Sequence, residues 1–213
     1  MLDLSQSDLE GPMPAEIGQL TNLTHLDFRR NFGLGPFPPE IGNLVNLVYL
    51  NIYQTQMRDE DLPPEFANLI NLREFNSRLN YFRYFPYQLE NLQNLEIIDL
   101  RRCYIGHYDD DGETHINVGQ LTNLKELKLA QNKLKAFPMG IENLTNLENL
   151  DLSDQFYGSS DTAISGTIPN WIFENLTNLK YLYLNDNELT GEIPSEIGNL
   201  ENLRSLNLHN NQL

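Results

Sequence analysis

The sequence predicts a solenoid of stacked repeats, each made of a short strand, a turn and a return segment, and three observations predict it. The segment N-L-x-x-L-x-L recurs, opening at Leu23, Leu47, Leu72, Leu95, Leu124, Leu147, Leu179 and Leu203. Its intervals are 24, 25, 23, 29, 23, 32 and 24 residues, the range of period that marks repeat architectures. Within it, apolar residues alternate as a strand with one buried face requires, and a single unit cannot bury its leucines without a neighbour on each side. Leu2 and Leu4 are the remnant of one earlier copy, and the chain stops at Leu213 inside the last, so residues 1–213 read as one domain of about nine strands with both end repeats incomplete.

The residue after each strand reads Ser7, Asn31, Thr55, Asn80, Cys103, Asn132, Gln155, Asn187 and Asn211. A buried side chain at this point can hydrogen-bond backbone groups that the turn leaves unpaired, which accounts for the recurrence of asparagine and small polar residues. Cys103 occupies the same slot and reads as a packed thiol.

The segments Leu124-Lys-Glu-Leu-Lys-Leu-Ala-Gln-Asn132-Lys-Leu134 and Leu179-Lys-Tyr-Leu-Tyr-Leu-Asn-Asp-Asn187-Glu-Leu189 resemble the leucine-rich-repeat family at every defining position, and the resemblance runs through essentially the whole chain. Leu189-Thr-Gly-Glu-Ile-Pro-Ser-Glu-Ile-Gly-Asn-Leu200 is similar to the plant-type return segment, with echoes at residues 11–18 and 164–169, whereas residues 134–141 resemble a shorter type. The resemblance implies an α/β fold, a right-handed horseshoe with a concave parallel β-sheet and short helical or extended convex segments. Nine strands would make a sheet about 40 Å long, enough to cradle a protein domain.

Two repeats are longer than the rest. Comparison of the 32-residue and 24-residue units assigns the excess to Phe156 through Ala163, and the 29-residue unit has its own within Gly106 to Asn117. Both follow the turn after a strand, so both should emerge along one edge of the sheet.

A formal charge of −16 opposes attraction to nucleic acid. The absence of long apolar runs gives no membrane insertion in this segment. A single cysteine excludes an internal disulfide, so the paired-cysteine caps common in secreted repeat proteins are missing. His25, His107, His115 and His209 fall in no catalytic pattern, and no nucleophile elbow, zinc motif or phosphate loop occurs, so no enzyme activity and no cofactor is expected. The acidic segment from His107 to His115 lacks the spacing and final glutamate of a calcium loop, and no metal site is assigned. The acceptor triplets at Asn22, Asn143 and Asn175 follow automatically from the repeat and carry little weight for secretion.

Strand alternation places the x residues of L-x-x-L-x-L-x-x on the concave surface, where ten acids meet ten bases. That face is therefore expected to be neutral, with the net charge on the outer side, edges and loops. Within it, Arg29, Arg30, Arg78, Arg101 and Arg102, with Tyr53 in the same column and Tyr49 nearby, form an expected binding strip. Arginine and tyrosine anchor interfaces because each combines area with directional hydrogen bonds. The competing reading is that Asp27, Glu74 and Asp99, one column away, simply neutralise the arginines.

The expected function is non-catalytic recognition of a protein, or of an acidic glycan, on the concave face, with an extracellular or surface location favoured over a cytoplasmic one. The alternatives are an intracellular scaffold or effector, and an enzyme inhibitor similar to plant polygalacturonase inhibitors. Leucines at both ends that no repeat covers suggest a fragment of a longer array or end-to-end self-association. Deleting residues 156–163 should leave the solenoid folded, because the deletion restores the 24-residue interval. Retention of a single cooperative thermal transition in the deletion variant is the expected result, and its loss would assign Phe156 or Tyr157 to the core.

Overall fold

The computed structural model describes residues 1–106, 116–156 and 163–213. Among them, nine short strands form one parallel sheet: β1 (Leu2–Asp3), β2 (His25–Asp27), β3 (Tyr49–Asn51), β4 (Glu74–Asn76), β5 (Ile97–Asp99), β6 (Glu126–Lys128), β7 (Asn149–Asp151), β8 (Tyr181–Tyr183) and β9 (Ser205–Asn207). They stack in chain order without crossover. The register puts Leu2, Leu26, Leu50, Phe75, Ile98, Leu127, Leu150, Leu182 and Leu206 in one row. From Leu26 to Leu182 that row is fully buried. The core is accordingly a continuous column running from Ile17 to Leu200, and no layer owns a core of its own.

The return segments are single turns of 3-10 helix, such as Ala15–Gln19, Pro39–Asn43, Pro64–Asn68 and Ser195–Asn199, each entered from an extended proline that fixes φ and needs no donor. Their glycines let successive layers touch: a Cβ on Gly42 would lie 2.4 Å from the Glu65 carbonyl oxygen.

Each strand ends in a turn whose second residue is left-handed. Gln6, Arg30, Gln54, Leu79, Arg102, Gln131, Asp154, Asp186 and Asn210 have φ between 53° and 60°, a conformation costing about 1–2 kcal/mol for a non-glycine residue. The following ladder side chain compensates. Asn132 accepts from the N–H groups of Cys103 (3.0 Å) and Ile105 (3.1 Å) and donates to the carbonyls of Leu100 (2.8 Å) and Leu129 (2.9 Å). Asn31 and Asn80 repeat the pattern, and Asn187 and Asn211 repeat most of it. Thr55 Oγ1 reaches the Ile52 carbonyl of its own repeat at 2.9 Å and Asn80 Oδ1 of the next at 3.1 Å. Cys103 lies in the ladder as its position implied, fully buried, with Sγ 3.1 Å from the Ser77 carbonyl oxygen, and burial pushes its thiol far above the ordinary range.

A second, exposed row runs along the entry side of the sheet. Asn46, Asn71, Asn94, Asn123, Asn146, Asn178 and Asn202 each donate to a carbonyl of the preceding repeat at 2.8–3.2 Å.

The structure moves one boundary of the longer repeat. The N–H of Ile164 donates to Asn187 Oδ1 as that of Leu189 does to Asn211 Oδ1, so Ile164 holds the slot of Leu189 and the buried Ala163 holds that of Glu188. The excess before Ile164 is thus residues 156–162, and the remaining extra residue sits in the return segment, which closes as a single α-helical turn (Trp171–Asn175) in place of a 3-10 turn. Deletion of 156–162 is the one that preserves the layer. Residues 157–162, and the acidic segment from His107 to His115, lie outside the described residues.

Removing the Asn132 side chain strands two amides and two carbonyls in the core, each worth about 1–3 kcal/mol. Asn132→Ala is therefore expected to lower the unfolding free energy by about 3–5 kcal/mol. Asn146→Ala, which removes one exposed bond, should cost under about 1 kcal/mol. Denaturant melts of the two variants, with equal losses as the contradicting result, check the asymmetry.

Candidate functional site

The concave face is organised in columns, because strands in register place equivalent side chains side by side about 4.8 Å apart. In the second half of each strand, a side-chain oxygen accepts the backbone N–H two residues on: Asp27 from Arg29 (3.0 Å), Asn51 from Tyr53 (3.0 Å), Asn76 from Arg78 (3.3 Å) and Asp99 from Arg101 (3.2 Å). The same closed turn in four successive repeats launches Arg29, Tyr53, Arg78 and Arg101 from equivalent backbone positions.

These four, with Arg30, meet in one open concavity of about 400 Å³, whose lining also includes Gln6, Asn51, Asn76 and Asp99. Arg30 lies over the Tyr53 ring, its guanidinium carbon 5.9 Å from the centroid, a cation–π contact. Five of the seven expected strip residues are thus brought together. The other two stand beside it. Arg102, on the left-handed turn position, donates through Nε to Gln131, whose Nε2 donates to Asp154 at 2.9 Å, a chain that runs toward the next repeats. Tyr49 stacks on His25 at 5.8 Å and accepts a hydrogen bond from Asn51, on a different column, and burial raises its phenol above the usual range.

The structure corrects the expectation that Asp27 and Asp99 are surface acids. Each is only 6% exposed. Their oxygens close the strand-end turn, so alternation alone misread them. Asp99 also takes Nε and Nη2 of Arg101 at 2.9 and 2.5 Å, and this pairing holds the Arg101 guanidinium above its ordinary pKa. Asp27 approaches Arg29 at 3.7 Å. Elsewhere on the face neutralisation is the rule: Arg73 and Lys125 both bind Glu96, at 2.9 and 2.7 Å, and Lys180 binds Glu148 at 2.6 Å.

Arg78 differs. Beneath it stands Asn76 where its neighbours have aspartate two strands away on one side and one on the other. Among the described residues no carboxylate pairs with it, and its Nε is buried without a hydrogen-bond partner. An unpaired buried donor costs on the order of 1–3 kcal/mol.

The equal numbers of acids and bases hide a segregation. The arginine column occupies the turn side of β2 to β5, while the corresponding stretch from β6 onward carries Ala130, Ser153, Asp154 and Asp186. Burial raises the carboxyls of Glu74 and Asp151 above the usual range, the charge of Glu126 adding to the shift at Glu74.

Two sequence profiles described as leucine rich repeat match residues 22–44 and 166–213, where the inner sheet and its ladder have the geometry given above. The matched segments are leucine-rich repeats, and the chain has the leucine-rich-repeat fold. The chain is 30% identical to keratocan of Danio rerio over 60% of its own length and 33% of that protein's. Its fold is similar to PEPR1 in the PEPR1–AtPEP1 crystal structure, with a TM-score of 0.76 and 28% identity over 96% of this chain and 27% of that one. It is also similar to the Arabidopsis receptor kinase HAESA in complex with the peptide hormone IDA and the co-receptor SERK1, with a TM-score of 0.72 and 28% identity over 95% of this chain and 32% of that one. The chain spans about a third or less of each of these relatives.

The contrast between the two central arginines gives a stability test. Arg101→Ala strips a buried aspartate of its cation and should destabilise by about 1–3 kcal/mol. Arg78→Ala removes a guanidinium with no such partner, so its thermal midpoint should equal or exceed that of the wild type. A larger loss for Arg78→Ala than for Arg101→Ala would make Arg78 a structural residue.

Proposed function

We propose that this chain is a non-catalytic recognition module that holds a protein partner on its concave face, with Arg29, Tyr53, Arg78 and Arg101 as anchors. The observation that carries the reading is the contrast within the sheet. Most concave cations are paired by neighbouring acids, and Arg29 and Arg101 have Asp27 and Asp99, but Arg30 and Arg78 join them in one concavity with no carboxylate partner among the described residues. A donor cluster of this kind, desolvated at its centre and flanked by a tyrosine, is the composition of an interface anchor. The similarity to HAESA, whose crystal structure holds a peptide hormone and a co-receptor, supports a polypeptide as the occupant. An extracellular or surface setting goes with this reading, in keeping with the HAESA ectodomain.

Arg78→Glu tests it, because the change reverses a charge that no carboxylate of the fold uses. Immobilised wild-type chain, cross-linked to its bound partner and analysed by mass spectrometry, should retain a protein that the variant retains at least about tenfold less, with the thermal midpoint unchanged. The same partner held equally by both, or a partner that cross-links only to the convex side, contradicts the reading.

A further inference from the structure

We infer that the Arg29–Arg101 concavity takes a phosphoryl group, carried on a phosphorylated residue of the protein partner. The inference rests on the recognition reading above and names what that site binds.

The concavity offers donors and almost no acceptors. Arg29, Arg30, Arg78 and Arg101 bring guanidinium N–H groups, and Tyr53 brings a hydroxyl. The asparagine and aspartate oxygens in the lining are already engaged: those of Asn51 and Asn76 accept backbone N–H groups, and both oxygens of Asp99 accept from Arg101, which leaves the Gln6 carboxamide and the Tyr53 hydroxyl as side-chain acceptors. A ligand group with donors of its own would find few acceptors there, whereas a group made only of acceptor oxygens is matched.

Number and charge narrow the class. A carboxylate has two oxygens and one charge, which a single guanidinium satisfies in a bidentate pair. Here Arg78 is flanked by Tyr53 and Arg101 on adjacent strands, with Arg29 one strand beyond Tyr53. Donors stepped about 4.8 Å apart on three or four strands suit a tetrahedral group. A phosphoryl group presents three acceptor oxygens and a charge of about −1.5 to −2 near neutral pH. It would engage the Arg78 guanidinium, which no carboxylate among the described residues pairs, and offset the repulsion between neighbouring guanidiniums.

The chain's overall charge separates this ligand from a nucleic acid. At −16, the long-range field repels a polyanion, while one phosphoryl group inside the arginine cluster meets a local excess of positive charge. The acidic stretch beginning at Asp154 and Asp186, beside the concavity, likewise disfavours an extended polyanion and would accept basic residues flanking a phosphorylated one.

Calorimetric titration of the whole chain tests the assignment with inorganic phosphate, with inorganic sulfate, and with a phosphoserine peptide of neutral flanks alongside its unphosphorylated form. Wild type should bind phosphate and the phosphopeptide saturably. Arg78→Gln should weaken both about tenfold or more, and Arg29→Gln serves in its place if Arg78→Gln alters the thermal midpoint. Arg204→Gln, just before the last strand and outside the concavity, should leave both unchanged. Because the second ionisation of a phosphoserine lies near pH 6, affinity for the phosphopeptide should fall between about pH 7.5 and pH 5.5 while that for sulfate does not. Equal binding of the phosphorylated and unphosphorylated peptides, phosphopeptide affinity that does not fall at the lower pH, or indifference to both arginine variants overturns the phosphoryl assignment. Those outcomes leave the recognition reading intact, since its own test is retention of the protein partner.

Discussion

The structure depends on satisfying the backbone where each strand leaves the sheet. The turn there forces one residue into a left-handed conformation and leaves amides and carbonyls that no neighbouring strand can reach, inside a core where such groups cost on the order of 1–3 kcal/mol each. A buried carboxamide, repeated at Asn31, Asn80, Asn132, Gln155 and Asn187, bridges those groups to the preceding repeat. Because each bridge spans two layers, it fixes register as well as closing the turn. Register in turn makes columns, and columns let four side chains far apart in sequence share one concavity.

The same economy of geometry explains why structural and candidate functional residues stand so close. Asp99 and Arg101 belong mainly to the fold, the acid closing a turn and the base covering it. Arg78 occupies the same column on the next strand, yet asparagine stands beneath it and leaves its guanidinium without a carboxylate. One change of residue type, aspartate to asparagine at position 76 relative to its counterpart at 99, turns a self-neutralised position into one that can engage another molecule.

Much of this was legible in the sequence, and the rest failed for identifiable reasons. The leucine interval and the polar slot after each strand gave the solenoid and the ladder, including the placement of Cys103, because both are enforced by burial. The arginine strip was legible as a column, since alternation predicts direction. Alternation also assigned Asp27 and Asp99 to the surface, and there it failed: short polar side chains at a strand end fold back onto their own backbone, an interaction with no periodic signature. For Arg102 the column was right, but its turn position directs it to Gln131. The excess of the 32-residue unit was assigned to a single loop because counting intervals cannot divide it between a loop and a return segment, whereas the hydrogen bond at Ile164 can.

The central claim is that the arginine column, and Arg78 above all, is where this surface meets its ligand. Resolved NMR signals of the arginine Nε–H groups test it most directly, followed as inorganic phosphate is added to the folded chain. The account predicts progressive, saturable shifts at Arg78, Arg29 and Arg101, the largest at Arg78, with Arg58, Arg83 and Arg204 unmoved. Shifts centred on Arg58, Arg83 or Arg204, with Arg78 silent at saturation, would contradict it.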